Sequence, residues 1–421
     1  MNAAGARAAI GQAARVELRE AGGWCEWPLS PEQARAVSDL DCIDIRPTGR
    51  PQVWKLRAKD TVGAVRIGRG TSAVQLRIAP KVTVDRLLYL LGYAAEYADW
   101  RPAPVEAAER PDLPTAVAYA FTHAAERALL PGVLFGYREV EESLPVLRGR
   151  LRAPAQLRRW PGLALPLEVT YDDHTADIPE NRLLLGAALR LLRLPGLPAA
   201  LRARLRLLGS RLDTVTPPVP GAPLPAWSPT RLDRRYQPVL GLAELILRGA
   251  SYELDDGRRV LVDGLLVRMW QVFETYLGRV LGEELRRQAG GRASPQDRQH
   301  CLGRDTRYLL KPDLVHYLPG PDGRMRPAAV VDAKYKTGRP SDDLYQMVTY
   351  CVRLGLRDGH LVYADGKPDV VEVPTEGAVI RLHRHVLDLS LPQPDLAAQV
   401  AGLASAVLRA GEDHRAAHAG R

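Results

Sequence analysis

Six of the fifteen residues from Val215 to Pro229 are proline, and this segment most constrains how the chain can fold. Proline has no main-chain N–H and fixes φ, so a segment this rich in proline neither continues a helix nor lies inside a sheet. We therefore predict a boundary or a long surface connection here. The patterns on its two sides are interpreted separately.

The residues before this segment change pattern once. Short strand-like runs separated by turn residues predict a small β-rich domain over residues 1–84. Its expected strands are Arg15–Glu20, Asp44–Pro47, Val53–Lys59, Gly63–Ile67 and Ala73–Ile78. From Val84 onward the apolar residues recur at helical spacing. We predict a mostly helical middle region over residues 85–232, with helices at Thr115–Leu129 and Leu183–Leu194.

Residues 233–421 alternate between helical and strand patterns. The expected helices are Pro238–Arg248, Leu261–Arg286, Ser341–Leu354 and Leu396–Leu408. The expected strands are Asp313–Tyr317, Ala328–Lys334, Leu361–Tyr363, Val370–Val373 and Ile380–Leu387. This succession predicts an α/β (α+β) fold in which helices flank a mixed central sheet.

Composition narrows the classes of function. A net charge of +9 favours a polyanionic partner, without separating DNA from RNA or from an acidic protein. The four cysteines stand singly, so neither a structural zinc site nor a disulfide framework is predicted. No long uncharged apolar run and no signal-peptide pattern occurs, so we expect a cytoplasmic protein without a membrane partner.

Three residues of the predicted strands form a candidate metal-dependent catalytic site. Asp313 opens one expected strand and Asp332 lies near the end of the next, followed two residues later by Lys334. Side chains alternate along a strand, so Asp332 and Lys334 point to the same face. Two carboxylates on adjacent strands offer the hard oxygen ligands that Mg²⁺ prefers. Such an ion activates a water and polarises a phosphate, and an ammonium group beside it stabilises the transition state.

Further polar residues fit around this trio. Glu274 lies on the helix before the strands and is a candidate third metal ligand or catalytic helper. Gln346 and Tyr350 lie one helical turn apart, so they share a face that would flank the metal and contact a substrate backbone. Lys336 shares the face of Lys334 if the strand extends that far.

Each signal also has an ordinary structural explanation. An Asp-x-Lys pair is typical of a surface salt bridge, and an aspartate after proline is typical of a turn. His383 and His385 share one strand face and could bind a metal, but a solvated strand face explains them without further ligands. The order of all the motifs in one chain is what favours a catalytic site.

That order resembles the PD...DxK nuclease fold in the version with a trailing Gln-x-x-x-Tyr helix, and more narrowly the McrC family. The most specific similar segments lie in the C-terminal part and are Lys311–Asp313, Val331–Lys336 and Asp343–Met347. Further similar segments are Leu76–Lys81, Leu147–Arg150, Asp177–Arg182 and Met269–Glu274. The resemblance covers roughly residues 40–390.

The resemblance implies a restriction subunit that cuts double-stranded, modified DNA only together with an McrB-like AAA+ GTPase hexamer. It implies that the N-terminal part contacts this motor and stimulates GTP hydrolysis, and that residues 233–421 form the nuclease domain. Carried onto this chain, Asp313 and Asp332 bind Mg²⁺ and Lys334 is the catalytic lysine. The chain has no phosphate-binding Gly-x-x-x-x-Gly-Lys loop, so GTP must bind elsewhere.

Two other hypotheses remain open from the sequence. In one, the chain is a non-catalytic bridging subunit that activates the motor and keeps the nuclease fold only as a DNA clamp. In the other, it is a stand-alone repair nuclease of the RecB-like kind. Cleavage by the isolated chain would favour the latter.

Overall fold

A computed structural model describes residues 14–419 with gaps at 41, 69–71, 84–85, 88, 91–112, 161–164, 195, 220–221, 228–234, 249–250, 254–258, 262, 304–307, 336–340 and 377. The chain forms two compact units. The first combines Met1–Leu113 with Leu266–Arg421, and the second is Pro114–Leu265. Residues at the start of the chain and residues of the expected nuclease domain therefore belong to one compact unit.

The secondary structure is mixed. The strands are β1 (Ala14–Arg19), β2 (Cys25–Pro28), β3 (Ile43–Pro47), β4 (Val53–Ala58), β5 (Thr61–Ile67), β6 (Val74–Ala79), β7 (Gly136–Leu144), β8 (Arg150–Leu151), β9 (Leu167–Thr175), β10 (Ser251–Glu253), β11 (Arg259–Leu261), β12 (Asp263–Arg268), β13 (Arg292–Pro295), β14 (Leu314–Pro319), β15 (Met325–Lys334), β16 (Asp358–Tyr363), β17 (Asp369–Thr375) and β18 (Ala378–Val386). The helices are α1 (Pro31–Ser38), α2 (Leu113–Leu129), α3 (Ala153–Arg159), α4 (Pro179–Leu191), α5 (Ala199–Arg211), α6 (Gln237–Arg248), α7 (Met269–Ala289), α8 (Ser341–Leu354) and α9 (Gln393–Ala419). The α/β (α+β) fold class predicted from the sequence is confirmed.

The N-terminal part of the first unit is β-rich, as predicted. One sheet has the strand order β1-β6-β5-β12, and a second has the order β2-β4-β3. The sequence analysis missed α1, although Ser30 accepts a hydrogen bond from the Gln33 N–H and the Gln33 side chain accepts one from the Ser30 N–H. This reciprocal capping box before an apolar stretch is the signal that could have found the helix.

The C-terminal part of the first unit is built on a six-stranded mixed sheet with the order β13-β14-β15-β16-β18-β17. The β13-β14-β15 strands and the β17-β18 pair are antiparallel, whereas β15, β16 and β18 run parallel. All six residues of the central strand β16 are buried. This sheet matches the predicted mixed central sheet flanked by helices.

Small residues let α7 approach the sheet closely. A Cβ added at Gly278 would lie 3.4 Å from the main-chain oxygen of Asp313. One added at Gly282 would lie 3.2 Å from the Ala293 Cβ. The helix therefore packs directly against β13 and the start of β14, next to Asp313, which immediately precedes β14.

The second unit differs from the mostly helical region predicted for residues 85–232. It contains α2 to α6, but also the antiparallel sheet β7-β9-β8. The prediction was wrong for these strands because most residues of β7 are exposed or half-buried, so no apolar face marks the strand. Within the nuclease part, Asp263–Arg268 is a strand rather than the start of a helix, since a short apolar run fits both structures.

No helix in the described part of the chain is long and apolar enough to cross a membrane.

Candidate functional site

Strand register places the two predicted aspartates opposite each other. In the antiparallel pair β14 and β15, Leu314 lies opposite Val331. Asp313 is one residue before Leu314 and Asp332 one residue after Val331, so continuing the register pairs the two aspartates. Directly opposed residues on antiparallel strands have Cβ atoms about 4.5–5.5 Å apart. The structure therefore brings together two carboxylates that are nineteen positions apart in the sequence.

The environment of this pair disfavours negative charge. Asp332 is buried and Asp313 is half-buried. Burial, followed by the charges of Asp332 and Glu274, raises the pKa of Asp313. Burial also raises the pKa of Asp332, against the opposing effect of the Lys334 ammonium and a hydrogen bond with Asp313. Without a cation, one proton is readily held between the two carboxyl groups.

Lys334 is the cation that the chain itself supplies. Its Nζ atom forms an ion pair with Asp332 Oδ2, lies 3.6 Å from Asp343 Oδ1 and donates a 3.0 Å hydrogen bond to Gln346 Oε1. Burial alone would lower its pKa, but the surrounding carboxylates outweigh burial and raise the pKa of Lys334 to about 12. The side chain is therefore an ammonium group at neutral pH.

Helix α8 brings the predicted Gln346 and Tyr350 to the same site. Gln346 Nε2 donates a 3.0 Å hydrogen bond to the Tyr350 hydroxyl. Burial, followed by the charges of Asp332 and Asp313, raises the pKa of Tyr350 to about 12. Lys334, Gln346 and Tyr350 thus form one hydrogen-bonded chain.

Glu274 on α7 interacts electrostatically with Asp332 in the site. Its side chain is half-buried, and burial followed by the Asp332 carboxylate raises the pKa of Glu274 to about 7. Among the described residues, no three His, Cys, Asp or Glu side chains are arranged to hold one metal ion. The structure thus brings Glu274 into electrostatic contact with the aspartates but does not arrange the three predicted carboxylates as a preformed ligand set.

The sequence analysis missed two residues that complete the surroundings of Lys334. Asp343 is buried in the first turn of α8, and its Oδ2 atom accepts a 3.2 Å hydrogen bond from the Tyr363 hydroxyl. An aspartate in a first helical turn has an ordinary explanation in the helix dipole, so its contact with Lys334 gave no sequence signal. Tyr363 ends the buried strand β16 and looked like a core residue.

The donor set fits a hard divalent cation. Mg²⁺ is commonly bound through one or two carboxylates, with water and substrate phosphate as the other ligands. Asp313 and Asp332 offer two adjacent carboxylates, and Asp332 Oδ2 also forms an ion pair with Lys334. A bound cation would offset the like charges that now raise both pKa values. Lys336 lies outside the described residues.

The predicted histidine pair lies on one strand face, but that face is not solvated. His383 and His385 are half-buried on β18 and stack near the buried His360 of β16. His360 Nδ1 lies 3.1 Å from His385 Nε2, and His383 Nε2 lies 2.7 Å from Asp358 Oδ1. The prediction of a solvated face was wrong, because the rings of His383 and His385 stack with the buried His360 of the neighbouring strand and are themselves half-buried.

Comparison with known proteins identifies the family. The family model described as McrBC 5-methylcytosine restriction system component matches residues 56–364, which is most of the chain. The chain belongs to this family. The match to the McrBC family model extends over the aspartate pair, Lys334 and α8, and in the N-terminal part it includes β5 and β6.

Two solved structures are similar to this chain. The first is a Thermococcus gammatolerans structure of McrB AAA+ hexamers with bound McrC. The match covers 92% of this chain and 99% of the Thermococcus gammatolerans chain, with 18% identity and a TM-score of 0.51. A second structure, of the Thermococcus gammatolerans McrBC complex, matches 65% of this chain and 88% of its own with 20% identity and a TM-score of 0.38. The first match shows a shared fold. A comparison with curated proteins gave no match.

Proposed function

We propose that this chain is the Mg²⁺-dependent endonuclease subunit of an McrBC-like restriction system. The observation that carries the proposal is the position of Asp313, directly before β14, opposite Asp332 on β15, with Lys334 on the same face as Asp332. Membership of the McrBC family and the predicted PD...DxK motif order support it. The reaction would be hydrolysis of a phosphodiester bond in double-stranded DNA, preferably modified DNA.

In this mechanism Asp313 and Asp332 would hold Mg²⁺, with Glu274 as a further carboxylate. When bound, the ion would lower the pKa of a water and polarise the scissile phosphate. Lys334 stays protonated, so it acts through its charge and its N–H groups rather than as a general base. Gln346 and Asp343 both contact the ammonium, which restricts its position beside Asp332.

Glu274 is suited to a helper role in proton transfer. Its pKa of about 7 in the metal-free site is close to neutral pH, where a group can both accept and release a proton. A bound cation near Asp332 would lower this value and increase the fraction of carboxylate. Glu274 is therefore proposed as a helper, whereas Asp313 and Asp332 are proposed as the essential metal ligands.

The proposed partner is an McrB-like AAA+ GTPase hexamer, whose GTP hydrolysis this subunit would stimulate. The Thermococcus gammatolerans structure with the shared fold is described as McrB AAA+ hexamers with bound McrC. Cleavage would then require the assembled complex, GTP and Mg²⁺. The site itself needs no residue from outside the first compact unit.

The deciding experiment combines the purified chain with its AAA+ partner, GTP, Mg²⁺ and modified DNA. Wild type is expected to cut, whereas Asp332→Ala and Lys334→Ala are expected to lose cleavage while still stimulating GTP hydrolysis. Asp322→Ala is a matched control, because Asp322 is an exposed aspartate in the turn between β14 and β15. Cleavage retained by Asp332→Ala would refute the proposal.

The same experiment separates the other two hypotheses. GTPase stimulation by a wild-type chain that never cleaves DNA would favour a bridging subunit. Cleavage by the isolated wild-type chain without motor or GTP would favour a stand-alone nuclease.

A further inference from the structure

A groove opens beside the candidate site, between α8 and the segment that leads into Asp313. Its volume is about 380 Å³. The residues that line it are Leu309, Leu310, Lys311, Gln346, Thr349 and Tyr350. Ligand pockets in proteins begin at about 300 Å³, so the groove is large enough for a group of modest size such as one nucleotide.

The walls of the groove are held by hydrogen bonds. Leu302 N–H donates to Tyr308 O at 2.8 Å, and Leu310 N–H donates to His300 O at 2.8 Å. Arg353 on α8 donates a 2.6 Å hydrogen bond from Nε to Cys301 O. These bonds attach the segment carrying Leu309 and Leu310 to α8, so the two walls are fixed relative to each other.

The groove is continuous with the catalytic trio. Gln346 accepts the hydrogen bond from Lys334 Nζ and donates one to the Tyr350 hydroxyl, and both Gln346 and Tyr350 line the groove. A DNA strand whose scissile phosphate lies beside Lys334 continues past this residue. Because the groove begins at Gln346, which contacts Lys334, the nucleotide next to the scissile phosphate can lie in it.

The chemistry of the walls matches that of a nucleotide. Lys311 is exposed, and its ammonium group makes no ion pair with any carboxylate of the described residues. Tyr345 lies one helical turn before Thr349, on the same helix face, and is 70% exposed. Leu309 adds a partly exposed apolar surface. An exposed lysine suits the sugar-phosphate backbone of DNA, which receives most of the hydrogen bonds that proteins make to DNA.

We propose that this groove binds one nucleotide of the strand being cut, next to the scissile phosphate. Lys311 binds its phosphate, and Leu309 in the groove with Tyr345 at its edge contacts the sugar. The inference rests on the proposed nuclease function and names a substrate contact outside the metal site. It also explains why Lys311 directly precedes Pro312 and Asp313: the phosphate contact and a metal ligand are then fixed by one short segment.

The test uses the complete complex with GTP and modified DNA, and Ca²⁺ in place of Mg²⁺ so that binding is measured without cleavage. Lys311→Gln is expected to weaken binding at low salt roughly tenfold and to make the slope of log K against log[salt] shallower by about 0.7–0.9. Thr349→Trp, which fills the groove, is expected to weaken binding by a similar factor without changing the salt slope. GTPase activity without DNA should be unchanged in both variants.

Each variant has a matched control outside the groove. Lys367→Gln removes an exposed lysine after β16, and Val352→Trp adds the same bulk at an exposed position on α8. Both are expected to bind DNA as wild type does. Wild-type affinity and salt slope in Lys311→Gln together with wild-type affinity in Thr349→Trp would overturn the inference.

Two further outcomes are distinguishable. A wild-type complex that never cleaves in Mg²⁺ would defeat the proposed function, while the Ca²⁺ binding data would still decide whether the groove contacts DNA. If Thr349→Trp changed the assembly of the complex but left DNA affinity intact, the groove would be a protein contact and the nucleotide assignment would be wrong.

Discussion

The main-chain N–H of Ala333 donates a 2.7 Å hydrogen bond to the carboxylate of Asp313. Ala333 lies between Asp332 and Lys334, so this one bond fixes Asp313 against the segment that carries the other two residues. Asp313 itself precedes β14 and is outside any strand. The register of β14 and β15 places the Asp313 main chain opposite Asp332, and this bond adds a direct restraint on the Asp313 side chain.

The first prediction concerns Asp313→Asn. The amide oxygen still accepts the Ala333 N–H, but a charged metal ligand is lost, so DNA cleavage by the complex should fall by at least about 100-fold. In metal-free buffer the variant should be more stable than wild type at pH 8, on the order of 1–2 kcal/mol, because burial and Asp332 raise the pKa of Asp313. Cleavage assays and urea unfolding with EDTA measure the two effects. A variant that loses both cleavage and stability would show a purely structural role for Asp313.

The second prediction concerns pH and Glu274. Its folded pKa of about 7 exceeds the ordinary value of 4.5, so the folded state binds the proton more tightly than the unfolded state. This contribution to stability is complete below pH 4.5 and is lost as the pH rises through 7. The metal-free wild type should lose roughly 1–2 kcal/mol of unfolding free energy over that range, after allowance for partial exposure of the side chain.

Glu274→Gln should abolish this loss, so that the variant matches wild type at pH 4.5 and exceeds it at pH 8. Glu283→Gln is the control, because Glu283 is exposed on the same helix. Unfolding titrations at the two pH values, with EDTA present, provide the comparison. Equal pH dependence in wild type and Glu274→Gln would contradict the proposed electrostatic contact with Asp332.

The sequence predicted the parts of the site that depend on local pattern. Strand alternation places Asp332 and Lys334 on one face, and the helix expected at Ser341–Leu354 has those bounds in the structure. The opposition of Asp313 and Asp332 was also predictable, because two consecutive strands commonly pair.

The parts that depend on distant contacts were not predictable. Asp343 meets Lys334 only because α8 crosses the sheet, and Leu167–Thr175 is a strand only because β7 pairs with it. The same holds for Glu20, which lies far from the nuclease end in sequence. In the structure its carboxylate accepts a 2.9 Å hydrogen bond from Lys81 N–H and meets the Tyr335 hydroxyl.

The third prediction uses that contact. Tyr335→Phe keeps the ring contacts with Phe273, at 5.9 Å between centroids, and with Lys81 Nζ, at 5.3 Å. It removes the hydroxyl that bonds Glu20, whose side chain is buried. Leaving a buried acceptor short of a donor should cost about 1–3 kcal/mol of unfolding free energy.

A double-mutant cycle of Tyr335→Phe with Glu20→Ala isolates this contact, because one change removes the hydroxyl donor and the other removes the carboxylate acceptor. Urea unfolding at pH 7 should give a coupling energy of at least about 0.5 kcal/mol. Additive effects of the two changes would mean that the contact does not stabilise the fold. Since Tyr335 follows Lys334 directly, DNA cleavage by Tyr335→Phe should also be measured and is expected to fall less than in Asp313→Asn.

The fourth prediction concerns acid stability and His385. Burial, followed by the charge of His383, lowers the pKa of His385 to about 4 from the ordinary 6.5. The neutral form is therefore favoured in the folded state. Its contribution to stability is present above pH 6.5 and is lost as the pH falls through 4. The expected loss is on the order of 3 kcal/mol.

His385→Gln should lose less stability than wild type between pH 7 and pH 4. Thermal unfolding at several pH values measures this, with His123→Gln as the control, because His123 is exposed on α2 in the other compact unit. Acid sensitivity that persists unchanged in His385→Gln would assign it to other groups.

The last prediction tests how closely α8 must pack to hold Gln346 beside Lys334. A Cβ added at Gly359 on β16 would lie 2.6 Å from Met347 Cγ and 2.7 Å from Cys351 Sγ, and both of those side chains are buried. Gly359→Ala should therefore destabilise the chain by about 1–3 kcal/mol and displace the helix residue next to Gln346. DNA cleavage should fall with it.

The matched control is Gly402→Ala on α9, where an added Cβ meets nothing within 4 Å. Replacing an exposed helical glycine by alanine should stabilise the chain by about 0.5–1 kcal/mol. The same substitution is thus expected to have opposite signs at the two positions, measured by urea unfolding. A Gly359→Ala variant as stable and as active as wild type would show that α8 can shift without cost, and Gln346 would then not depend on this packing for its position beside Lys334.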